Sequence, residues 1–385
     1  MMNNLIKKGI YIHIPFCMHK CIYCDFLSSP QTEDIKTTYV QTLQNEIRLT
    51  SEKMIKEGKS IQISSIFFGG GTPSILDAKH IKNIMNCIRN CFEVLENAEI
   101  TIECNPGTVD EEKFDIYRES GINRISFGLQ SCDNGELKML GRIHTFEQFL
   151  DSYRIAEKCG FNNINVDLMS AIPGQSVEGY INSLKKVIEL SPKHISAYSL
   201  ILEEGTYLFD NLKKYPPVPT EEDERDMYYQ TKKLLESEGY NHYEISNFAR
   251  EGFECRHNLT YWERGDYLGF GIGAASLFEG VRYSNTRDLN KYIELNADID
   301  RIREDVEKLG KEDEMAEFMF LGLRKIQGIS IIDFEETFGE SIFDVYGREI
   351  EKNINKGLLK KSGSRIMLTP RGIDISNTVM SDFII

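Results

Sequence analysis

Tyr11-Ile-His-Ile-Pro-Phe-Cys17-Met-His-Lys-Cys21-Ile-Tyr-Cys24-Asp-Phe26 carries three cysteines at C-x3-C-x2-C spacing, directly after a short apolar strand, Ile10 to Ile14, that Pro15 breaks. Cysteine thiolates bind iron–sulfur clusters, and four of them normally fill a [4Fe–4S] cluster. With three in this loop, one iron has no cysteine from it and stays open to a substrate or cofactor. A structural zinc site wants a second C-x2-C or an H-x3-H partner, and neither is present. A disulfide framework suits small secreted domains, not a long chain with nine cysteines.

Working outward, the chain alternates strands and helices. A long helix is expected from Glu33 to Gly58, then strands and helices at 61–68, 77–92, 99–103, 110–119, 124–129, 134–139, 145–159, 163–169, 177–190 and 194–200. Six β units alternating with helices over residues 10–201 are the pattern of a parallel sheet. Periodicity alone leaves an open doubly wound sheet and a partial barrel both standing. Polar residues fall at successive strand ends or in the loops beside them. Gly69-Gly70-Gly71-Thr72 ends one strand, Glu103 another, and Gln130, Arg142 and Asp167 follow. The triple glycine lets backbone approach a ligand closely, and is also an ordinary tight turn.

Pro216-Pro217-Val-Pro219-Thr220 is a proline-rich joint before a capped helix reaching about Glu238. Beyond it lies Cys255-Arg256-His257-Asn258-Leu-Thr-Tyr261-Trp262, with the chain's only tryptophan. Residue types alone favour a surface histidine beside a core Tyr–Trp pair. A histidine among aromatic rings can also ligate heme iron, with Arg256 pairing a propionate. Residues 298–308 read as a charged, solvated linker. Three helices and two short strands over 311–385 suggest a winged-helix module, either a cover over the barrel mouth or a docking surface. Ten Lys/Arg against thirteen Asp/Glu in that stretch speak against phosphate binding.

Composition narrows the setting. The 385 residues are 41% hydrophobic, with no apolar run near the length that spans a bilayer. Met1 to Gly9 lacks the apolar core of a signal peptide. Nine cysteines without such a signal imply a reducing compartment, the cytoplasm. A net charge of −15 argues against a nucleic-acid partner.

The cysteine spacing after a first strand resembles the signature of radical S-adenosylmethionine (SAM) proteins. The words Tyr-Ile-His-Ile-Pro-Phe-Cys and Cys-Asp-Phe are similar to the oxygen-independent coproporphyrinogen III oxidase superfamily, and within it to the HemW heme-chaperone group. The true oxidases carry a further cysteine two residues after the third, where this chain has Phe26. The resemblance implies a partial (β/α)6 barrel over 1–215, a linker helix and heme-motif extension over 216–300, and a winged-helix-like C-terminal domain over 301–385.

It also implies roles. Cys17, Cys21 and Cys24 would hold a [4Fe–4S] cluster whose open iron SAM chelates. Tyr11, Gly70, Gly71, Thr72 and Glu103 match positions around that SAM. Tyr23, Gln130, Arg142 and Asp167 match positions that surround a second SAM in the related oxidase. His-Asn-x-x-Tyr-Trp matches a heme-binding motif, making His257 the candidate axial ligand, with Asn258, Tyr261 and Trp262 beside it. Cys255 is a lesser candidate thiolate. His13 and His19 read as structural or outer-shell. The implied partners are heme and recipient hemoproteins, some at the membrane periphery. The rival is oxidative decarboxylation of coproporphyrinogen III propionates by a 5′-deoxyadenosyl radical, or a radical reaction on another substrate.

Overall fold

In the computed structural model, which describes residues 8–384, six consecutive parallel strands form the centre of one twelve-stranded sheet. Of the N-terminal stretch read above, residues 1–7 lie outside the described residues. The central strands are β1 (Lys8–Ile14), β2 (Gln62–Gly70), β3 (Glu93–Cys104), β4 (Arg124–Gln130), β5 (Ile164–Ser170) and β6 (His194–Ser199). Ile10, Ile12 and Ile14 share one face of β1 and are fully buried, while Gly9 and His13 are buried on the other, so both faces are covered. Parallel strands covered on both sides tend toward such apolar runs.

The helices between them start where side chains satisfy the orphan backbone N–H groups. Thr32 caps Glu33–Lys56, Asp77 caps Ala78–Cys91, and Thr145 forms a reciprocal capping box with Gln148 at the head of Phe146–Lys158. Ala78–Cys91 buries Ile81, Ile84, Met85 and Ile88, the one-sided stripe of a helix packed on a sheet.

The chain beyond 240 extends the same sheet at both ends. A hairpin, β7 (Asn241–Glu244) and β8 (Asn247–Ala249), adds antiparallel to β6. On the other side, β9 (Tyr267–Phe270) runs parallel to β1, followed by β10 (Ala275–Phe278), β11 (Val281–Asn285) and β12 (Arg303–Lys308). The expected solvated linker at 298–308 is therefore a short helix, Ile299–Ile302, and the edge strand β12 paired antiparallel with β11. Charge density concealed it. An edge strand keeps its outer side in water, and charged side chains there discourage further strand addition.

Residues 311–384 build a module on a small core of their own, centred on Phe334, Tyr346, Ile366 and Phe383. Helices Lys311–Gly322, Ile331–Phe338 and Ile342–Asn355 are joined by strands β13 (Ile329–Ser330), β14 (Leu359–Ser362) and β15 (Arg365–Leu368). Two short helices that the sequence did not suggest, Pro370–Asp374 and Ser376–Ser381, close it, with Val379 and Phe383 fully buried. The module is tied to the β7–β8 hairpin by main-chain bonds from Ile245 N–H to Arg324 O (3.1 Å) and from Ile326 N–H to Tyr243 O (3.0 Å). None of its described residues lines the main cavity.

Candidate functional site

A cavity of about 650 Å³ opens inside the curled parallel sheet. The loop after β1 brings Cys17, Cys21 and Cys24 to its wall. Main-chain bonds fix that loop on two sides, from Cys17 N–H to Ser29 O (3.3 Å) and from Ile22 N–H to Leu140 O (3.2 Å). The end of β2 fixes a third side, with Gly71 N–H on Ile14 O (2.9 Å) and Thr72 N–H on Phe16 O (2.8 Å). Glycine is required there. A Cβ at 71 would sit 2.6 Å from the Phe16 carbonyl oxygen, and Gly70 has φ +112° with the His13 ring 2.6 Å from any Cβ.

This close approach sets Thr72 Oγ1 3.4 Å from Cys17 Sγ, while Arg142 Nη1 lies 3.6 Å from Cys21 Sγ. Three thiols on one fixed loop, with a hydroxyl and a guanidinium beside two of them, suit an iron–sulfur cluster. Donors to cluster sulfur are a principal means by which protein tunes it. Burial, and then the neighbouring thiols, push the Cys24 thiol up to about 11.

The other expected SAM-binding residues meet in the same cavity. Glu103, at the end of β3, is held near the Gly70 backbone N–H. Burial first, then the charge of Asp167, raise its carboxyl to about 8. Asp167 accepts from Asn165 Nδ2 (2.7 Å) and is also raised by burial. Tyr11 bonds His13 Nδ1 (3.1 Å) and stacks with Phe67. Arg142 Nη2 donates to Asn105 Oδ1 (2.7 Å) and Gly128 O (2.5 Å), and Tyr23 lies beside the same guanidinium. Gln130 takes φ +74° and accepts from Tyr198 OH (2.9 Å). A non-glycine residue in that region stores backbone strain, as residues at binding sites often do.

The Arg256–Trp262 helix forms part of the wall, and Glu99 holds its start. Glu99 accepts from the backbone N–H groups of Arg256 (3.2 Å) and His257 (3.1 Å) and lies 3.6 Å from Cys255 Sγ. Burial pushes the Cys255 thiol up to about 12, which keeps it protonated. His257, expected to offer a nitrogen to iron, has both engaged. Nδ1 bonds Ser65 Oγ at 3.0 Å and Nε2 bonds Tyr261 OH at 2.9 Å. The ring is 1% exposed, stacks on Phe67 and is driven down to about 3 by burial, hence neutral. Asn258 and Tyr261 line the cavity; Trp262 does not, lying instead under the Arg324 guanidinium at 4.3 Å. Arg256 is exposed and lines no part of it.

Arg124, Asn165 and His194 are among the cavity residues not singled out from the sequence. Arg124, the first residue of β4, is 2% exposed, and its Nε has no hydrogen-bond partner among the described residues. Asn165 and His194 bond each other (2.6 Å), and His194 Nε2 bonds Tyr243 OH (2.8 Å). The available signal was polar alternation, Asn165-Val-Asp167, opposite the apolar face of Ile164, Val166 and Leu168 in a strand of a parallel sheet.

Comparison with known proteins agrees with this architecture. The Radical SAM superfamily profile matches residues 11–187, and the HemN C-terminal domain profile matches 309–375. Among curated proteins, "Heme chaperone HemW" of Lactococcus lactis is 38% identical over 98% of this chain and 97% of its own length. The proteins of that name from Bacillus subtilis (35%, covering 98% and 99%) and Escherichia coli (33%, covering 100% of both) are similarly collinear. Among solved structures, coproporphyrinogen III oxidase (HemN) from Escherichia coli superposes with a TM-score of 0.85 at 22% identity, covering 98% of this chain and 90% of that one. At that identity the likeness shows the fold, a partial barrel with a C-terminal extension. A Radical SAM domain implies SAM and a [4Fe–4S] cluster. With full-length relatives above 30% identity and a radical SAM core built around C-x3-C-x2-C, this chain belongs to the radical SAM superfamily and, within it, to the HemW family.

Proposed function

We propose that this protein binds heme and passes it to recipient hemoproteins, using a cavity that also holds a SAM-chelated [4Fe–4S] cluster. The observation that carries the reading is the convergence of Cys17, Cys21 and Cys24 with Asn258 and Tyr261 on one cavity. The relatives' name supports it, as does Phe26, apolar and 62% exposed at the mouth, where a further cysteine would stand in the oxidase pattern. The cluster supplies an iron with an open coordination position. Gly70, Gly71, Thr72, Tyr11 and Glu103 surround the first SAM, and Tyr23, Gln130, Arg142 and Asp167 offer a second place. His257, on the cavity wall, serves the heme site by holding the Tyr261 hydroxyl, and Trp262 serves it from behind the wall.

In this reading residues 1–215 carry the cluster, 216–310 the heme motif and the strands that extend the sheet, and 311–384 a surface for recipients. The setting is the cytoplasm, with some recipients at the membrane periphery. Among the described residues no helix is long and apolar enough to cross a membrane. The test is anaerobic reconstitution, then hemin titration followed by transfer to an apo-hemoprotein, with coproporphyrinogen III decarboxylation assayed in parallel. Stoichiometric binding and transfer without decarboxylation is the expected result. Turnover of coproporphyrinogen with negligible hemin binding would replace the carrier with an oxidase.

A further inference from the structure

Iron in heme takes its axial bond from a free nitrogen lone pair when the ligand is histidine. Among the described residues three imidazoles line the cavity, those of His19, His194 and His257. Two have nothing free to give. His194 spends one nitrogen on Asn165 and the other on Tyr243, and His257 is committed to Ser65 and Tyr261. His257 is moreover sealed, with its ring stacked on Phe67 at 5.2 Å. To reach iron it would have to give up a buried hydrogen bond and leave a polar partner unsatisfied.

His19 differs on each count. It is exposed on the cluster loop between Cys17 and Cys21, and no hydrogen bond to its ring occurs among the described residues.

Its surroundings suit a flat apolar ring. Met18 is 63% exposed, Phe26 62% and Ile201 69%. Phe26 and Ile201 line the cavity together with His19, and Met18 shares an adjoining cleft with it and with Ile143, itself 53% exposed. Single exposed apolar side chains are ordinary, but several large ones gathered at one mouth mark a binding surface. Lys20, the next residue, places an ammonium at the same mouth, 3.0 Å from the Phe26 carbonyl, where it can meet a propionate.

We infer that heme carried by this protein is ligated through the imidazole of His19, its macrocycle lying across Met18, Phe26 and Ile201 at the cavity mouth. His257 is then a positioning residue. The inference rests on the heme-carrier reading above, and it involves only donation of a nitrogen lone pair to iron, with no change of redox state.

The experiment uses anaerobically reconstituted full-length protein as wild type, His19→Ala, His19→Gln and His257→Ala. Iron and sulfide content are measured first, then hemin is titrated by absorbance and the complex examined by electron paramagnetic resonance. His19→Ala and His19→Gln are expected to lose the histidine-ligated spectrum and to weaken binding by about tenfold or more. Added imidazole should restore the spectrum. His257→Ala should keep histidine ligation while binding hemin less tightly. A wild-type spectrum in His19→Ala at unchanged cluster content, or loss of histidine ligation in His257→Ala, would overturn the inference alone. Failure of wild type to take up hemin would overturn the carrier reading as well.

Discussion

Glu46 shows how a single buried group can govern stability far from the cluster. It lies on the long helix Glu33–Lys56 and is fully enclosed by the glycine-rich segment after β9. Its carboxylate accepts from Gly271 N–H (2.9 Å), Asn285 Nδ2 (2.6 Å) and the Tyr292 hydroxyl. Those donors favour the charged form, yet burial outweighs them and raises the group to about 7. The folded chain therefore binds this proton more tightly than the unfolded chain, whose carboxyl titrates near 4.5. The contribution is fully present below about pH 4.5 and is lost as pH rises to about 7, then stays level. Glu46→Gln should remove that slope. Urea unfolding of the cluster-free protein at pH 5 and pH 8 should show the wild type losing on the order of 2 kcal/mol more than the variant. Equal losses would refute the assignment. Nothing in the sequence marks Glu46, because its surroundings come from residues some 225 to 246 positions away. The cysteines were legible for the opposite reason, since their chemistry requires short local spacing.

Among the elements, the Arg256–Trp262 helix touches both the cavity and the C-terminal module. Just beyond it, Arg264 pairs with Glu314 and Glu317, each at 3.0 Å, and Arg282 of β11 also reaches Glu317 at 2.5 Å. Glu317 is 4% exposed, so its two arginines are its counter-charges in place of water. Breaking a buried pair costs more than the pair itself contributes, because one charge is left behind. Glu317→Ala should lower stability by about 2–3 kcal/mol, less than for a fully buried pair since Arg282 is partly solvated. Glu317→Gln should recover part of that, as read by urea midpoint, and a neutral Glu317→Ala would refute the junction. The alternating elements of the barrel were legible because apolar strands and capped helices announce themselves locally. The edge strand β12 was not, since its pairing with β11 is a backbone property that a run of charges hides.

At the scale of the whole molecule, two cores of unequal size share one chain. The large core runs through the twelve-stranded sheet, while the C-terminal module closes a smaller one and joins the rest mainly through the β7–β8 hairpin and the Glu317 junction. Smaller cores open more readily, so amides in 311–384 should exchange with solvent at a lower opening free energy than those of β1. Hydrogen exchange read by mass spectrometry checks this, and identical opening energies would refute it. The barrel class could be drawn from alternation together with family resemblance, and the six parallel strands bear it out. The extension of the sheet at both ends could not, because nothing local in Tyr267–Phe270 says that it lies beside β1.

That last pairing has a consequence for biogenesis. The strand leading into the cluster loop has its second neighbour about 240 residues downstream, from Cys24 to Tyr267. At synthesis rates of roughly 5–20 residues per second, the three thiols emerge from the ribosome some 10–50 s before that neighbour exists. During the interval β1 can pair on one flank only, and the cysteines that follow it are open to oxidants and competing metals. Cluster insertion is thus expected to follow the emergence of β9, with reducing surroundings preserving the thiols until then.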